Sequence, residues 1–220
     1  MTETTTKTRR LVSLGMLCAL AYLVMLVGRI PLVIFLKYDP KDVIIVIGGF
    51  LFGPSASLVI SLVVAVIELS VSDTGIIGCI MNAVSSCAFA CTAAWVYSRN
   101  RTLKGAVTGL IAGVLTVTAV MLAWNYFLTP IYMGYPRETV AAMLLPIFLP
   151  FNLIKGSINA AITMLLYKPV VGALRAAKLA PAADLGSVDL GSAGMMTSRT
   201  VVLGAAVVIA ICVAACIILW

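Results

Sequence analysis

Histidine is absent from this 220-residue chain, and only 10% of its residues are charged. Without histidine, and with no paired cysteine motif in a polar setting, the sequence indicates no zinc or haem site. The six cysteines all lie in apolar segments, where cysteine behaves as a small hydrophobic side chain. The sequence also contains neither a GxSxG nucleophile motif nor a GxxxxGK[ST] phosphate loop. We therefore expect no catalytic residue, metal, cofactor or disulfide framework.

The remaining composition is that of an integral membrane protein. Hydrophobic residues make up 62% of the chain and the mean hydropathy is +1.14, whereas soluble domains carry roughly 25% charged residues. The formal net charge of +7 reflects membrane topology rather than nucleic-acid binding, because the basic residues cluster between apolar segments. We predict an all-α integral membrane fold: a six-helix bundle plus an extra C-terminal transmembrane helix.

Seven apolar segments are candidate spans, and a transmembrane helix needs about 20 residues. The second segment is short for this purpose. The sixth carries Pro146 and Pro150, and because proline is tolerated in the first helical turn, its regular part should begin near Pro150. The segments cover residues 11–35, 43–52, 55–71, 78–97, 105–128, 141–171 and 201–220.

These segments divide the chain into four parts. Residues 1–10 form an N-terminal tail and residues 11–175 a six-span substrate-binding membrane domain. Residues 176–199 are rich in alanine, glycine and serine and predict a flexible linker. Residues 200–220 form the extra helix.

The basic residues predict the orientation of the bundle. Cytoplasmic flanks of membrane helices carry an excess of lysine and arginine. With the N-terminus inside, ten of the fifteen basic residues are cytoplasmic, four are outside and Lys155 lies within a span. We therefore expect a multi-pass protein of the cell membrane with a cytoplasmic N-terminus and three polar clusters at its outer end.

A polar stripe in the sixth segment is the most informative pattern. Asn152, Lys155, Asn159 and Thr163 recur at helical spacing within about 80° of one another. An apolar helix with such a stripe must turn it inward, because a lysine at the centre of a bilayer costs about 2.5–3.5 kcal/mol. The stripe indicates either ligand binding or polar contacts between helices. A buried Lys155 needs a carboxylate, for which Glu68 is the main candidate among the spans.

Other polar residues of the outer end are candidates for the same site. The connection of residues 36–42 could close over a planar polar ligand as a lid, or it could be an ordinary solvated loop. The further candidates for substrate binding are Lys37, Tyr38, Asp39, Asn82, Asn125 and Tyr132.

The first segment contains a pair of small residues at helical spacing. Gly15 and Ala19 form a small-xxx-small pair, which suits either packing within the bundle or docking of a partner subunit.

At these positions the sequence resembles the substrate-binding S components of energy-coupling-factor (ECF) vitamin transporters, and within them the riboflavin-specific subfamily. Four motifs in the same order carry the resemblance, which extends over about residues 11–175. They are Leu36-Lys37-Tyr38-Asp39 with Asp42; Gly48-Gly49-Phe50-Leu51-Phe52-Gly53-Pro54; Trp124-Asn125-Tyr126 with Pro130 and Tyr132; and Leu149-Pro150-Phe151-Asn152-Leu153-Ile154-Lys155-Gly156.

The resemblance implies a function and a set of partners. It implies high-affinity capture of riboflavin from outside, with Asn125, Asn152 and Lys155 in contact with the flavin and the first external loop closing over it. It also implies assembly with a transmembrane coupling subunit and two ATP-binding subunits, and docking through the first helix. There Gly15-xxx-Ala19 stands where the family usually has Ala-xxx-Ala. The extra C-terminal helix departs from the family pattern.

Three alternatives remain open from the sequence. An S component for another vitamin, such as thiamin, would share most of these features. A stand-alone channel or small-solute carrier is disfavoured, because no inverted repeat is visible and few acidic residues could couple ions. An intramembrane enzyme lacks a nucleophile with a base to activate it.

Overall fold

The computed structural model describes residues 3–33, 36–72, 75–176 and 195–219. These residues form eight α-helices and one two-stranded hairpin, which confirms the all-α membrane fold. A 3-10 turn, Leu69–Val71, follows the third helix, and a π-helical turn, Leu144–Phe148, precedes the seventh. The elements are α1 (Glu3–Gly28), β1 (Ile30–Val33), β2 (Leu36–Tyr38), α2 (Lys41–Phe52), α3 (Pro54–Glu68), α4 (Gly75–Arg99), α5 (Leu103–Met133), α6 (Arg137–Met143), α7 (Leu149–Ala176) and α8 (Met195–Leu219).

Five segments of the described chain are long and apolar enough to cross a membrane. They are Lys7–Gly28, Pro54–Val71, Gly75–Arg99, Leu103–Ile131 and Arg137–Tyr167. The helix α8 adds a shorter apolar stretch, Val202–Cys216.

The helix α2 is the exception in length and lies at the centre of the bundle. It has 12 residues, and those from Lys41 to Leu51 are all buried. It packs against α1, α3, α4 and α7. A helix of this length rises about 18 Å, compared with the roughly 30 Å of a bilayer core. Because neighbouring helices cover α2 on all sides, it need not match the bilayer thickness, and its own apolar run is consistent with complete burial.

The C-terminal end of α2 is fixed by a tight turn. Gly53 adopts φ +91° between α2 and α3, and Pro54 occupies the first turn of α3. Arg10 of α1 donates to the Phe52 carbonyl oxygen at 3.3 Å and to Ser55 Oγ at 3.5 Å. The beginning of α1 and the α2–α3 turn therefore lie at the same end of the bundle. The first residue of α2 therefore lies toward the other end.

The first predicted segment, residues 11–35, is wrong at its end. The helix α1 ends at Gly28, and the chain continues as an antiparallel hairpin in which Ile30 pairs with Tyr38 and Pro31 with Lys37. The apolar character of residues 30–33 suggested a longer helix, because hydropathy alone does not distinguish a strand from a helix. The hairpin provides backbone partners for this stretch where a proline prevents helix formation.

The connection expected between the fifth and sixth predicted segments, residues 105–128 and 141–171, is largely helical. The helix α5 continues to Met133, with Pro130 inside it, and ends at Gly134, whose φ is +67°. Proline is tolerated inside membrane helices because neighbouring groups satisfy the backbone that it frees. The sixth segment begins earlier than expected, with α6. Its regular helix starts at Leu149, close to the predicted Pro150.

The proposed domain division stays a prediction. Residues 177–194 of the predicted linker lie outside the described part of the chain. Beyond them, α8 packs against α7.

The contact between α4 and α5 depends on two glycines of α5. A β-carbon at Gly109 would lie 2.7 Å from the Ala93 carbonyl oxygen, and one at Gly113 would lie 2.7 Å from the Phe89 carbonyl oxygen. The two glycines form a GxxxG motif, which lets helix backbones approach closely in a membrane.

We expect Gly113→Ala to destabilise the protein by about 1–3 kcal/mol, because the added methyl group meets a backbone oxygen that cannot move alone. Gly15→Ala is the matched control, since no atom lies within 4 Å of a β-carbon placed there. Thermal unfolding in detergent measures both. Equal melting temperatures for the wild type and Gly113→Ala would contradict the close helix contact.

Candidate functional site

A cavity of about 120 Å³ lies at the end of the bundle where α2 begins, since two of its lining residues, Asp39 and Glu68, pair with Lys41. Its walls come from the hairpin, the end of α3, the beginning of α4, the end of α5 and the beginning of α7. Six residues predicted from the sequence line it: Lys37, Asp39, Asn82, Asn125, Asn152 and Lys155. The sequence places these residues in four separate stretches, and the fold brings them together at one end of the bundle.

The other predicted residues are placed differently. Tyr38 is buried beside the cavity, and its hydroxyl donates to Asn159 Oδ1 at 2.8 Å. The side chain of Tyr132 lies outside the part that the structure describes. Gly15 and Ala19 lie on an exposed face of α1, so they do not pack within the described bundle.

The two cavity amides are held by their own helices. Asn125 Nδ2 donates to the Met121 carbonyl oxygen, and Asn152 Nδ2 donates to the Phe148 carbonyl oxygen, both at 2.7 Å. Thr129 Oγ1 donates to Asn125 Oδ1 at 3.0 Å. A side-chain amide offers two donors and an acceptor with two lone pairs. These bonds fix the orientation of both amides and leave hydrogen-bonding capacity, including the Asn152 oxygen, for a molecule in the cavity.

Three acidic and three basic residues form a buried charge network around the cavity. Glu68 at the end of α3 pairs with Arg29 and with Lys41, and accepts a 2.8 Å hydrogen bond from Asn82 Nδ2. Arg29 Nε also donates to Asp39 Oδ1 at 2.7 Å. Glu68 therefore joins the end of α1, the beginning of α2 and the beginning of α4.

The second half of the network is centred on Asp42. Lys155 Nζ lies 3.8 Å from Asp42 Oδ2, and Ser86 Oγ donates to Asp42 Oδ1 at 2.5 Å. The prediction that Glu68 pairs with Lys155 is therefore wrong. Glu68 is taken by two other cations, and Asp42, in the first turn of α2, lies nearer to α7.

Sequence reasoning missed three members of this network, because Arg29, Lys41 and Asp42 were not proposed as site residues, whereas Glu68 was proposed as the partner of Lys155. The residues from Asp39 to Asp42 were interpreted as part of a polar loop, but the side chains of Lys41 and Asp42 are only 2% exposed. The sequence contained a signal for this network, because three acidic and three basic residues flank short apolar segments. Isolated buried charges are too costly to be left unpaired, so these residues could be expected to pair with one another.

The network also shifts the pKa values of two groups at the end of the hairpin, Tyr38 and Asp39. Burial alone would raise the pKa of Asp39, but Lys41, Lys155 and Arg29 outweigh it and hold that pKa below its usual value. Burial, with Asp42 and Asp39 nearby, raises the pKa of Tyr38. The two shifts keep Asp39 charged and Tyr38 protonated at neutral pH, so the hairpin presents a fixed pattern of charge and hydrogen bonds.

The opposite end of the bundle is closed by aromatic side chains. The ring centroids of Phe50 and Tyr97 lie 4.3 Å apart, and those of Phe50 and Tyr167 lie 5.9 Å apart. The hydroxyls of Tyr97 and Tyr167 are 3.2 Å apart. The described bundle therefore has its polar cavity at one end and packed aromatic rings at the other.

We expect Glu68→Ala to destabilise the protein by about 3–5 kcal/mol, because it breaks the ion pairs of Glu68 with the buried Lys41 and the part-buried Arg29 and leaves both cations to share Asp39. Glu138→Ala removes an exposed carboxylate from α6 and should change stability by less than about 0.5 kcal/mol. Denaturation in detergent, followed by circular dichroism, measures both. Similar effects of the two substitutions would refute the importance of the Glu68 network.

Comparisons with known proteins identify the family of this chain. The family model described as "ECF transporter, substrate-specific component" matches residues 9–167. The riboflavin transporter RibU of Staphylococcus aureus (strain TCH60) is 30% identical over 76% of this chain and 93% of its own length. The riboflavin transporter FmnP of Bacillus subtilis (strain 168) is 27% identical over 79% of this chain and 99% of its own.

A solved structure gives the same result for the fold. It is described as the S component of a bacterial ECF transporter, superimposes with a TM-score of 0.66 at 28% identity, and covers 77% of this chain and 99% of its own. The matched family model spans the hairpin and every helix that lines the cavity. This chain is a multi-pass membrane protein that belongs to the family of substrate-specific components of ECF transporters.

Proposed function

We propose that this chain is the riboflavin-binding subunit of an ECF transporter and that it mediates uptake of the vitamin. The cavity that brings Asn125, Asn152 and Lys155 together carries the proposal. It is supported by the names of three relatives, which are all riboflavin transporters.

The chemistry of the cavity fits the isoalloxazine ring of a flavin. One edge of this flat ring alternates hydrogen-bond acceptors and donors, as does a side-chain amide. Asn125 and Asn152 suit that edge, and Lys155 adds a charge-assisted donor to a carbonyl or ribityl oxygen. Phe151, which also lines the cavity, offers an apolar surface for the ring. A ligand that lacked the polar edge would leave buried amides unpaired, which would favour flavins over other aromatic molecules.

Ligand entry requires the cavity to expand. Its volume is about 120 Å³, whereas pockets for ligands of this class measure roughly 300–1,000 Å³. The hairpin is the part of the wall that lies outside the helices, and its described polar contacts with them include the Tyr38–Asn159 hydrogen bond and the Arg29–Glu68 ion pair at its base. We infer that the hairpin acts as the lid of the site.

The direct test is a fluorescence titration of the detergent-purified chain with riboflavin. Stoichiometric quenching of flavin fluorescence is the expected result. If the folded chain fails to bind riboflavin but binds another vitamin, such as thiamin, it is an S component of different specificity. Solute transport by the chain alone in vesicles would instead favour a stand-alone carrier, against which the packed aromatic end of the bundle argues.

We expect Asn125→Ala and Lys155→Ala each to weaken riboflavin binding at least about tenfold, because each removes a hydrogen-bonding group from a buried ligand. Asn100→Ala and Lys104→Ala are the matched controls, since both side chains are exposed at the other end of the bundle. Dissociation constants come from the same titration. Unchanged affinity in both cavity variants would rule out these roles.

The energy for uptake would come from partner subunits. This chain contains no phosphate-binding loop of the GxxxxGK[ST] type. We propose that it assembles with a transmembrane coupling subunit and two ATP-binding subunits, which hydrolyse ATP. The excess of basic residues at one end of the bundle supports a cytoplasmic N-terminus, with the cavity open toward the outside.

The exposed face of α1 is the proposed docking surface for the coupling subunit. Gly15 and Ala19 are both exposed there, and small residues let a partner helix approach closely.

We expect Gly15→Leu to reduce co-purification with the coupling subunit at least about fivefold while leaving riboflavin affinity unchanged, because the added side chain blocks helix contact. Gly204→Leu on α8 is the matched control, since Gly204 is also exposed with no atom within 4 Å of a β-carbon. Equal co-purification of the two variants would show that docking uses another surface.

A further inference from the structure

Asp42 lies behind the cavity rather than in its wall. The side chain is only 2% exposed and belongs to the first turn of α2. It contacts Ser86 of α4 and two residues of α7, Lys155 and Asn159. Among these four residues, Lys155 alone lines the cavity. One carboxylate therefore joins three helices directly behind the proposed flavin site.

The contact between Asp42 and Lys155 leaves the lysine free to bind a ligand. Their closest atoms, Asp42 Oδ2 and Lys155 Nζ, are 3.8 Å apart, which is an ion-pair distance but too long for a hydrogen bond. No other group of the described chain accepts a hydrogen bond from Lys155. The ammonium carries three donors. Asp42 thus neutralises the lysine in its buried setting while the donors stay available to the cavity.

The second contact of Asp42 reaches the hairpin. Asn159 Nδ2 donates to Asp42 Oδ2 at 3.3 Å, so the amide oxygen of Asn159 faces the other way. That oxygen accepts the 2.8 Å hydrogen bond from the Tyr38 hydroxyl. Asn159 thus bridges Asp42 and the Tyr38 hydroxyl, and its bond to the carboxylate is a hydrogen bond to a charged acceptor, which is stronger than one to a neutral oxygen. The orientation of Asn159, and with it the partner of Tyr38, is therefore coupled to Asp42.

We propose that Asp42 is a positioning residue for flavin binding: it orients Lys155 and, through Asn159, Tyr38 of the lid, without touching the ligand. The inference rests on the proposed function. The competing explanation is that Asp42 only holds the helices together. Buried ion pairs often add little net stability relative to apolar packing, so a role in orienting polar groups accounts better for a carboxylate at this place.

A double-mutant cycle with riboflavin separates these explanations. The four proteins are the wild type, Asp42→Asn, Lys155→Gln and the double variant, each first shown to be folded by size-exclusion chromatography and circular dichroism. We expect Asp42→Asn to weaken binding at least about tenfold in the wild type but less than about threefold in the Lys155→Gln background, because the group that it orients is then missing.

Two further variants are controls for charge and for surface effects. Asp42→Glu keeps the carboxylate and should retain more affinity than Asp42→Asn. Glu138→Gln neutralises an exposed carboxylate of α6 and should bind riboflavin as the wild type does.

Each outcome of the cycle decides the inference. Equal losses of affinity in both backgrounds would show that Asp42 does not act through Lys155 and would overturn the inference, and so would an unchanged affinity for Asp42→Asn. If Asp42→Asn does not fold, Ser86→Ala replaces it, because this change removes one hydrogen bond to Asp42 and leaves the charge. Weaker binding by Ser86→Ala would then support the inference and wild-type affinity would refute it. A folded wild type that does not bind riboflavin would overturn the proposed function itself, and this inference with it.

Discussion

The complete burial of one short helix is the constraint on which the rest of the structure depends. The helix α2 is covered by α1, α3, α4 and α7, and it rises only about 18 Å. The cavity lies at the end of the bundle where α2 begins, and Asp39 and Glu68, which pair with Lys41, line it. The hairpin and the polar ends of the neighbouring helices complete its wall.

Balanced charge makes this polar space compatible with a membrane protein. Three carboxylates and three cations meet around the start of α2, and each acid has at least one basic partner. An unpaired charge at such a place would cost several kcal/mol. The acidic residues have different roles in this pairing. Glu68 fixes the ends of three helices, whereas Asp42 leaves the Lys155 donors free. The same electrostatic requirement therefore stabilises the fold and prepares the cavity for a polar ligand.

The sequence predicted the helices and the polar stripe better than the charge network. Asn152 and Lys155 were identifiable because polar residues at helical spacing stand out in an apolar helix. Asn125 and Asn82 were identifiable for the same reason. The pairing of Asp42 with Lys155 was not predictable, because it depends on how deep α2 lies and not on any spacing. The hairpin was missed because an apolar strand and the end of an apolar helix have the same hydropathy.

The most direct test of this account is a structure of the chain with riboflavin bound. The account predicts the isoalloxazine ring in the cavity at the start of α2, with its polar edge against Asn125 and Asn152 and the hairpin displaced from its present position. The account would be contradicted by flavin bound instead in the apolar groove that α5 and α7 form with α8, with the cavity at the start of α2 unchanged.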